Sequence, residues 1–296
     1  MKIIVIDHNF YMPKVIASYL IETNDGPILI ETGPDSTFRK LSKSLDKIGY
    51  PVENIKHVFV THIHLDHSGS AWHFAKAGAT VYVHQNGARH LVDPSKLIES
   101  ARRIYKDQMD ELWGETQSIP EERVRVVSDG DTLRIGGVEV RTVETLGHAS
   151  HHNAYVIEDT VFMGDLAGIR IEGGPVLPPT PPPDINVEAW QHSLNKIREL
   201  SPKVLYPTHF GKSTDIKEHL EELETRLLEC TEWIGTRVRE GKTEEEMIPE
   251  FEDLFSGILE EAKVSPELIK SYELADPFYM NVGGLVRYWK KFRLPS

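Results

Sequence analysis

Residues 61–69 read THIHLDHSG and directly follow the apolar run KHVFV at 56–60. That run is short, β-branched and aromatic, and predicts a strand. His62 and His64 are two positions apart, so on an extended chain both imidazoles point to the same side. Asp66 and His67 follow at once, and Ser68 and Gly69 open a helical pattern. A lone histidine at a strand end is ordinarily structural. Four ligand-grade side chains within the six residues 62–67 point instead to a metal site.

Three more pieces are built alike. A strand-like run at 138–145 leads into TLGHASHH and brings His148; one at 160–163 leads into MGDLAG and brings Asp165; one at 203–206 leads into PTHFG and brings His209. Glycine beside each polar residue suits tight turns that aim a side chain.

The 296 residues include 33 Lys+Arg against 46 Asp+Glu, a net charge of −13. That charge weighs against nucleic acid as a partner, because phosphate binding needs a basic footprint. The single cysteine, Cys230, cannot form an intrachain disulfide and leaves no zinc-finger spacing, so a reducing, cytoplasmic setting is expected. The start MKIIVIDHNF reads as a strand rather than a signal peptide. No apolar run approaches the ~18 residues that span a bilayer, so no membrane partner is expected. The chain has 8 Asn and 4 Gln against 30 Glu, a bias shared with heat-adapted proteins.

Strands are predicted over 2–6, 15–21, 28–31, 56–60, 80–84, 124–127, 138–145, 154–157, 160–163 and 203–206, with helices over 38–48, 71–76, 94–113 and 187–200. This mixture favours an α+β sandwich over a strict βαβ repeat. From residue 215 onward the pattern is helical throughout. Residues 213–296 hold 19 acidic and 11 basic residues, so −8 of the −13 lies there. Thr243 followed by three glutamates reads as a helix cap. Two domains are therefore expected: a catalytic domain at 1–212 and a helical extension at 213–296 that packs on it or forms a homo-oligomer contact. The segment LPPTPPP at 177–183 is stiff and extended, and can be neither helix nor central strand.

Over residues 1–212 the sequence resembles the metallo-β-lactamase superfamily, whose dinuclear pattern HxHxDH followed by His, Asp and His it carries in order. The resemblance implies a four-layer αββα sandwich with the site at one edge of its two sheets. It assigns His62, His64 and His148 to one metal and Asp66, His67 and His209 to a second, with Asp165 bridging both. The implied cofactors are two divalent ions, Zn2+ foremost with Fe2+ or Mn2+ as substitutes, because neutral imidazoles and carboxylates suit them. The implied activity is a metal-dependent hydrolase using a metal-bridging hydroxide to cleave an ester, thioester or lactone of a small molecule, with Asp66 as the catalytic carboxylate. The alternative is a phosphodiesterase or phosphotriesterase on the same centre. The family's true β-lactamases generally lack the bridging aspartate, so Asp165 argues against an antibiotic substrate.

Departures from the pattern are informative too. The usual Asp before Thr-Gly is Glu31 here, within LIETGPD, and its longer arm is expected to hydrogen-bond a ligand histidine. Arg170 and His151 are further candidates for supporting or substrate contacts, the former through a bidentate grip on an anion. Asp184 is expected to cap the helix that follows it. His84 and His90 are expected to make ordinary hydrogen bonds.

Overall fold

The β-branched runs become strands and the amphipathic stretches become helices close to the predicted limits. The structure, a computed structural model, describes residues 2–294. Its strands form two sheets, and the chain divides into two compact units, residues 1–144 with 153–158 and residues 145–152 with 159–296. The composition change at residue 213 marks where helices take over. It is not where the compact units divide.

The first unit opens with β1 (Ile3–Asp7), β2 (Ala17–Ile21), β3 (Ile28–Ile30), β4 (His57–Phe59), β5 (Thr80–His84) and β6 (Val124–Val127), adjacent in that order in one sheet. β1–β2 and β2–β3 are antiparallel, whereas β3 to β6 run parallel. The parallel strands are joined by α1 (Phe38–Lys47), by α2 (Leu65–Ser68) and α3 (Ala71–Lys76), and by α4 (Gln85–Val92), α5 (Ser95–Tyr105) and α6 (Met109–Trp113). Strands covered on both faces read as continuous apolar runs, which is why ILI and HVF carry no alternation. The register Leu29↔Val58↔Val81 puts three fully buried side chains in one row. They share a core with Leu41 and Leu45 of α1, an i,i+4 pair on one helix face. Each such burial contributes about 2 kcal/mol.

The same unit holds the meander β7 (Thr132–Ile135), β8 (Val138–Glu144) and β9 (Asn153–Ile157). Tyr155 of β9 lies edge-on to Phe59 of β4 at 5.0 Å, and its hydroxyl donates to the Val60 carbonyl at 2.8 Å. Burial pushes that phenol's pKa far up. The ring thus fixes the strand end from which the histidine motif departs.

The second unit contains β10 (Thr160–Phe162) and β11 (Val204–Tyr206), paired in parallel and connected through α7 (Val187–Glu199). Four helices follow: α8 (Ile216–Arg239), α9 (Glu244–Glu261), α10 (Pro266–Ala275) and α11 (Phe278–Tyr288). Thr243 forms a full capping box with Glu246 at the start of α9, as its sequence predicts.

Three expectations are corrected. The helix predicted over 94–113 is two, α5 and α6, broken where Lys106 takes φ +49°. α4 and β7 went unpredicted. The cap of α7 is Asn186, which accepts from the Ala189 N–H at 3.0 Å; Asp184 instead takes the Ser150 hydroxyl.

Candidate metal centre

In the first unit, the chain leaves β4, bends at Thr61 and His62, and coils into α2 at Leu65 from an extended His64. The bend still brings the pair together, with His62 Nε2 and His64 Nδ1 2.9 Å apart. On α2, His67 Nε2 lies 3.5 Å from Asp66 Oδ2. The His62 and His67 rings are 3.9 Å apart, centroid to centroid. His62 and His67 are fully buried, so solvent cannot supply their polar contacts and the protein must.

Glu31 supplies them. Its backbone continues β3 by donating to the Phe59 carbonyl at 2.9 Å, then turns into left-handed φ of +63°. That conformation costs a non-glycine residue about 1–2 kcal/mol and turns the chain out of the strand at the carboxylate. The Glu31 carboxylate accepts the Thr61 hydroxyl and stands 3.3 Å from His67 Nδ1. With the hydroxyl proton given to Glu31, the Thr61 oxygen accepts from His62 Nδ1–H at 3.0 Å. That leaves the His62 Nε2 lone pair for a metal. Thr61 was missed in the sequence, although its place between the strand and the first histidine was the available signal. Thr32, next along, donates both its N–H and its hydroxyl to the His67 carbonyl at 2.8 and 2.9 Å.

Beneath this turn lies His8, fully buried, with Nδ1 2.8 Å from Thr37 Oγ1 and Nε2 2.6 Å from Ser18 Oγ. A Cβ on Gly33 would sit 2.2 Å from the His8 ring, so only glycine fits above it. Desolvation, helped by the charge of Lys40, lowers the His8 pKa to about 3. His84 meets Glu144 at 2.8 Å and accepts from the Asn86 N–H, capping α4.

In the second unit, Asp165 sits on a 3-10 turn between Gly164 and Ala167, just after β10. Its two oxygens face different imidazoles: Oδ2 is 3.4 Å from His148 Nε2, and Oδ1 is 3.5 Å from His209 Nε2. All three residues are at least nine-tenths buried. His148 Nδ1 lies 3.0 Å from the Pro179 carbonyl. A carbonyl only accepts, so Nδ1 carries the proton and Nε2 keeps the lone pair on the aspartate side. Trp190 of α7 stands edge-on to His148 at 5.7 Å, and a Cβ on Gly147 would fall 2.3 Å from Trp190 Cα. The Pro179 carbonyl and Trp190 were beyond sequence reasoning, because neither side chain carries a donor-set signal.

Arg170 links two of the turns through its backbone. Its N–H donates to the His209 carbonyl at 2.6 Å, and its own carbonyl accepts from Phe210 at 3.2 Å. Its guanidinium is engaged by the Asp215 carboxylate, Ser213 and the Gly174 carbonyl, and it holds the Asp215 carboxyl well below the usual range. The side chain expected to grip an anion is therefore engaged by the segment after β11 and by its own loop. His151 is nine-tenths buried. His219 is fully buried and donates through Nε2–H to the Ala167 carbonyl at 2.8 Å, and burial lowers its pKa.

The donor set fits divalent ions. Ligand atoms of His62 and His64, of Asp66 and His67, and of Asp165 with His148 and with His209 each lie within 4.8 Å of one another. All are imidazoles and carboxylates, the borderline-to-hard donors that zinc, iron(II) and manganese accept.

A family model described as the metallo-beta-lactamase superfamily matches residues 12–209. The archaeal metallo-beta-lactamase fold-containing protein ST1585 of Sulfurisphaera tokodaii is 29% identical over 217 residues, 71% of this chain and 79% of its own length. The crystal structure of ST1585 superposes with a TM-score of 0.61 at 27% identity, covering 74% of this chain and 84% of that one. That of a metallo-beta-lactamase family protein of Thermus thermophilus, TTHA1429, gives 0.67 at 20% identity, covering 98% and 93%, so the helical C-terminal part is shared. An atrochrysone carboxyl ACP thioesterase of Aspergillus fumigatus is 25% identical over 230 residues, 77% of this chain. The chain spans only 45% of that enzyme's length.

Proposed function

The chain belongs to the metallo-beta-lactamase superfamily, and from that premise we propose a dinuclear metal-dependent hydrolase that cleaves an ester, thioester or lactone bond of a small molecule. The proposed ligands are His62, His64 and His148 for one ion and Asp66, His67 and His209 for the other, with Asp165 shared. The observation that carries this is the Asp165 carboxylate, which turns one oxygen toward His148 and the other toward His209. A carboxylate serving one ion has no need to divide itself between two imidazoles.

When bound, such ions supply Lewis acidity and bring the pKa of water from 15.7 to about 7. The protein's own contribution is to hold lone pairs and protons in place. Glu31 and Thr61 keep the His62 proton on Nδ1, and the Pro179 carbonyl does the same for His148. Asp66 is 17% exposed in its side chain while neighbouring His67 is wholly buried. Asp66 is therefore the member of its pair that an attacking water reaches, and it would orient that water by accepting its proton. The two aspartates put two negative charges among the ligands, which offsets the charge of two cations.

The thioesterase similarity supports a carbonyl rather than a phosphorus target. The partner is then a small acyl compound. No helix among the described residues is long and apolar enough to cross a membrane. The test is a side-by-side panel of aryl esters, acyl thioesters, lactones, and phosphate di- and triesters, run before and after exhaustive chelation and with Asp66→Ala. Carbonyl substrates should dominate and should fail in both controls. Faster phosphoester turnover would move the assignment to phosphorus, and chelation-resistant turnover would overturn it.

A further inference from the structure

We infer that Asn281, on the C-terminal helix α11, is a positioning residue for the ligand histidine His148. The inference rests on the reading of His148 as a metal ligand. The helical extension then belongs to the support of the metal centre.

The link runs through the proline-rich strap. Asn281 is fully buried. Its Oδ1 accepts from both the backbone N–H and the hydroxyl of Thr180, at 2.5 and 3.0 Å. Its Nδ2 donates to Asp276 Oδ2 at 2.5 Å, and because a carboxylate only accepts, Asp276 fixes which way the amide faces. Thr180 is covalently next to Pro179, and the Pro179 carbonyl receives the His148 Nδ1 proton. The Pro179 carbonyl and the Thr180 N–H are two ends of one peptide unit, so the Asn281 amide holds the same rigid group that decides which nitrogen of His148 keeps its lone pair.

The strap depends on these helices. Apart from one bridge, Ile169 with Leu177, it joins no ladder, and its prolines lack N–H donors. The chain leading into it is pinned from α10, where the Tyr272 hydroxyl accepts from the Ile171 N–H and donates to the Pro175 carbonyl, both at 2.9 Å. The strap itself is pinned from α11, whose backbone comes so close at Gly284 that a Cβ there would lie 1.9 Å from the Thr180 carbonyl oxygen. Partners that fix a ligand imidazole are worth about 10- to 100-fold in metal affinity. Asn281 acts at one remove, through Pro179, and its effect should be confined to the ion that His148 holds.

The test is competition between a fluorescent chelator and the full-length protein for Zn2+, with both affinities resolved. In the wild type two ions should bind. Asn281→Ala should weaken one of them by about 10-fold or more and leave the other near wild type. A merely structural role would lower thermal stability without separating the two affinities. Thr180→Val removes only the hydroxyl contact and keeps the backbone one, so it decides the matter if Asn281→Ala does not fold; it should weaken the same ion several-fold. Two wild-type affinities in folded Asn281→Ala, or in Thr180→Val where the former is unfolded, overturn the inference and leave the metallohydrolase reading standing. A wild-type protein that takes up no pair of ions would instead remove the reading on which it rests.

Discussion

His8 gives the account a quantitative handle on acid stability. Thr37 donates its hydroxyl proton to the Pro34 carbonyl at 3.0 Å, so its oxygen accepts from His8 Nδ1–H. The other nitrogen, Nε2, then accepts from the Ser18 hydroxyl at 2.6 Å. The neutral imidazole satisfies this arrangement, and a second proton would face a donor that must turn away. Burial accordingly lowers the folded-state pKa to about 3 from the ordinary 6.5. Between those two values the unfolded chain binds a proton that the folded one refuses, so stability falls as pH falls through this window. From pH 7 to pH 5 the effect is about 2 kcal/mol, at ~1.4 kcal/mol per unit below the unfolded pKa. His8→Gln removes the titration. Urea unfolding at pH 7 and pH 5 should show the variant less stable at pH 7, for want of the imidazole's packing. Its further loss on acidification should be about 2 kcal/mol smaller than that of the wild type. Equal acid losses in both proteins would refute the assignment of a buried, uncharged His8, since the other carboxylates and histidines cancel in this double difference.

Three further outcomes follow from particular contacts. Gly147→Ala places a methyl against Trp190 Cα at a backbone φ of +141°, and thermal unfolding should show a loss of about 2 kcal/mol or more; an unchanged midpoint would contradict the packing. Glu31→Gln keeps the shape but removes the charge beside His67, and chelator competition should record a 10- to 100-fold weaker ion on the His67 side. Thr243→Ala deletes the half of the α9 capping box in which the Thr243 hydroxyl accepts from the Glu246 N–H, leaves the backbone half, and should cost about 1 kcal/mol in denaturant unfolding, with no change in metal content.

The fold class was legible in the sequence, and the candidate ligands stand out by type. Metal ligands must be His, Asp or a few other types, so HIHLDH, GHAS, GDL and THFG are marked as candidates by residue identity. The groups that hold those ligands have no such restriction: the Pro179 carbonyl and the Thr61 hydroxyl gain their roles only from three-dimensional placement. Strands such as 80–84 and 124–127 match β5 and β6 in full, because each carries three Val or Tyr residues, types that favour strands. β7 was missed because TLRI is half exposed and buries only Ile135. α4 was missed because it buries only Gly87 and Leu91, too few for a visible period. The choice of Asn186 over Asp184 as a cap is a matter of two positions, which pattern alone does not resolve.

The central claim is that seven side chains make water reactive through a pair of divalent ions. It is tested most directly by counting the ions in the purified protein while following acyl-ester hydrolysis, as metal is stripped and then returned. Two ions per chain are expected, with activity that vanishes with them and recovers when they are added back. Hydrolysis that persists at full rate in metal-free protein would contradict it.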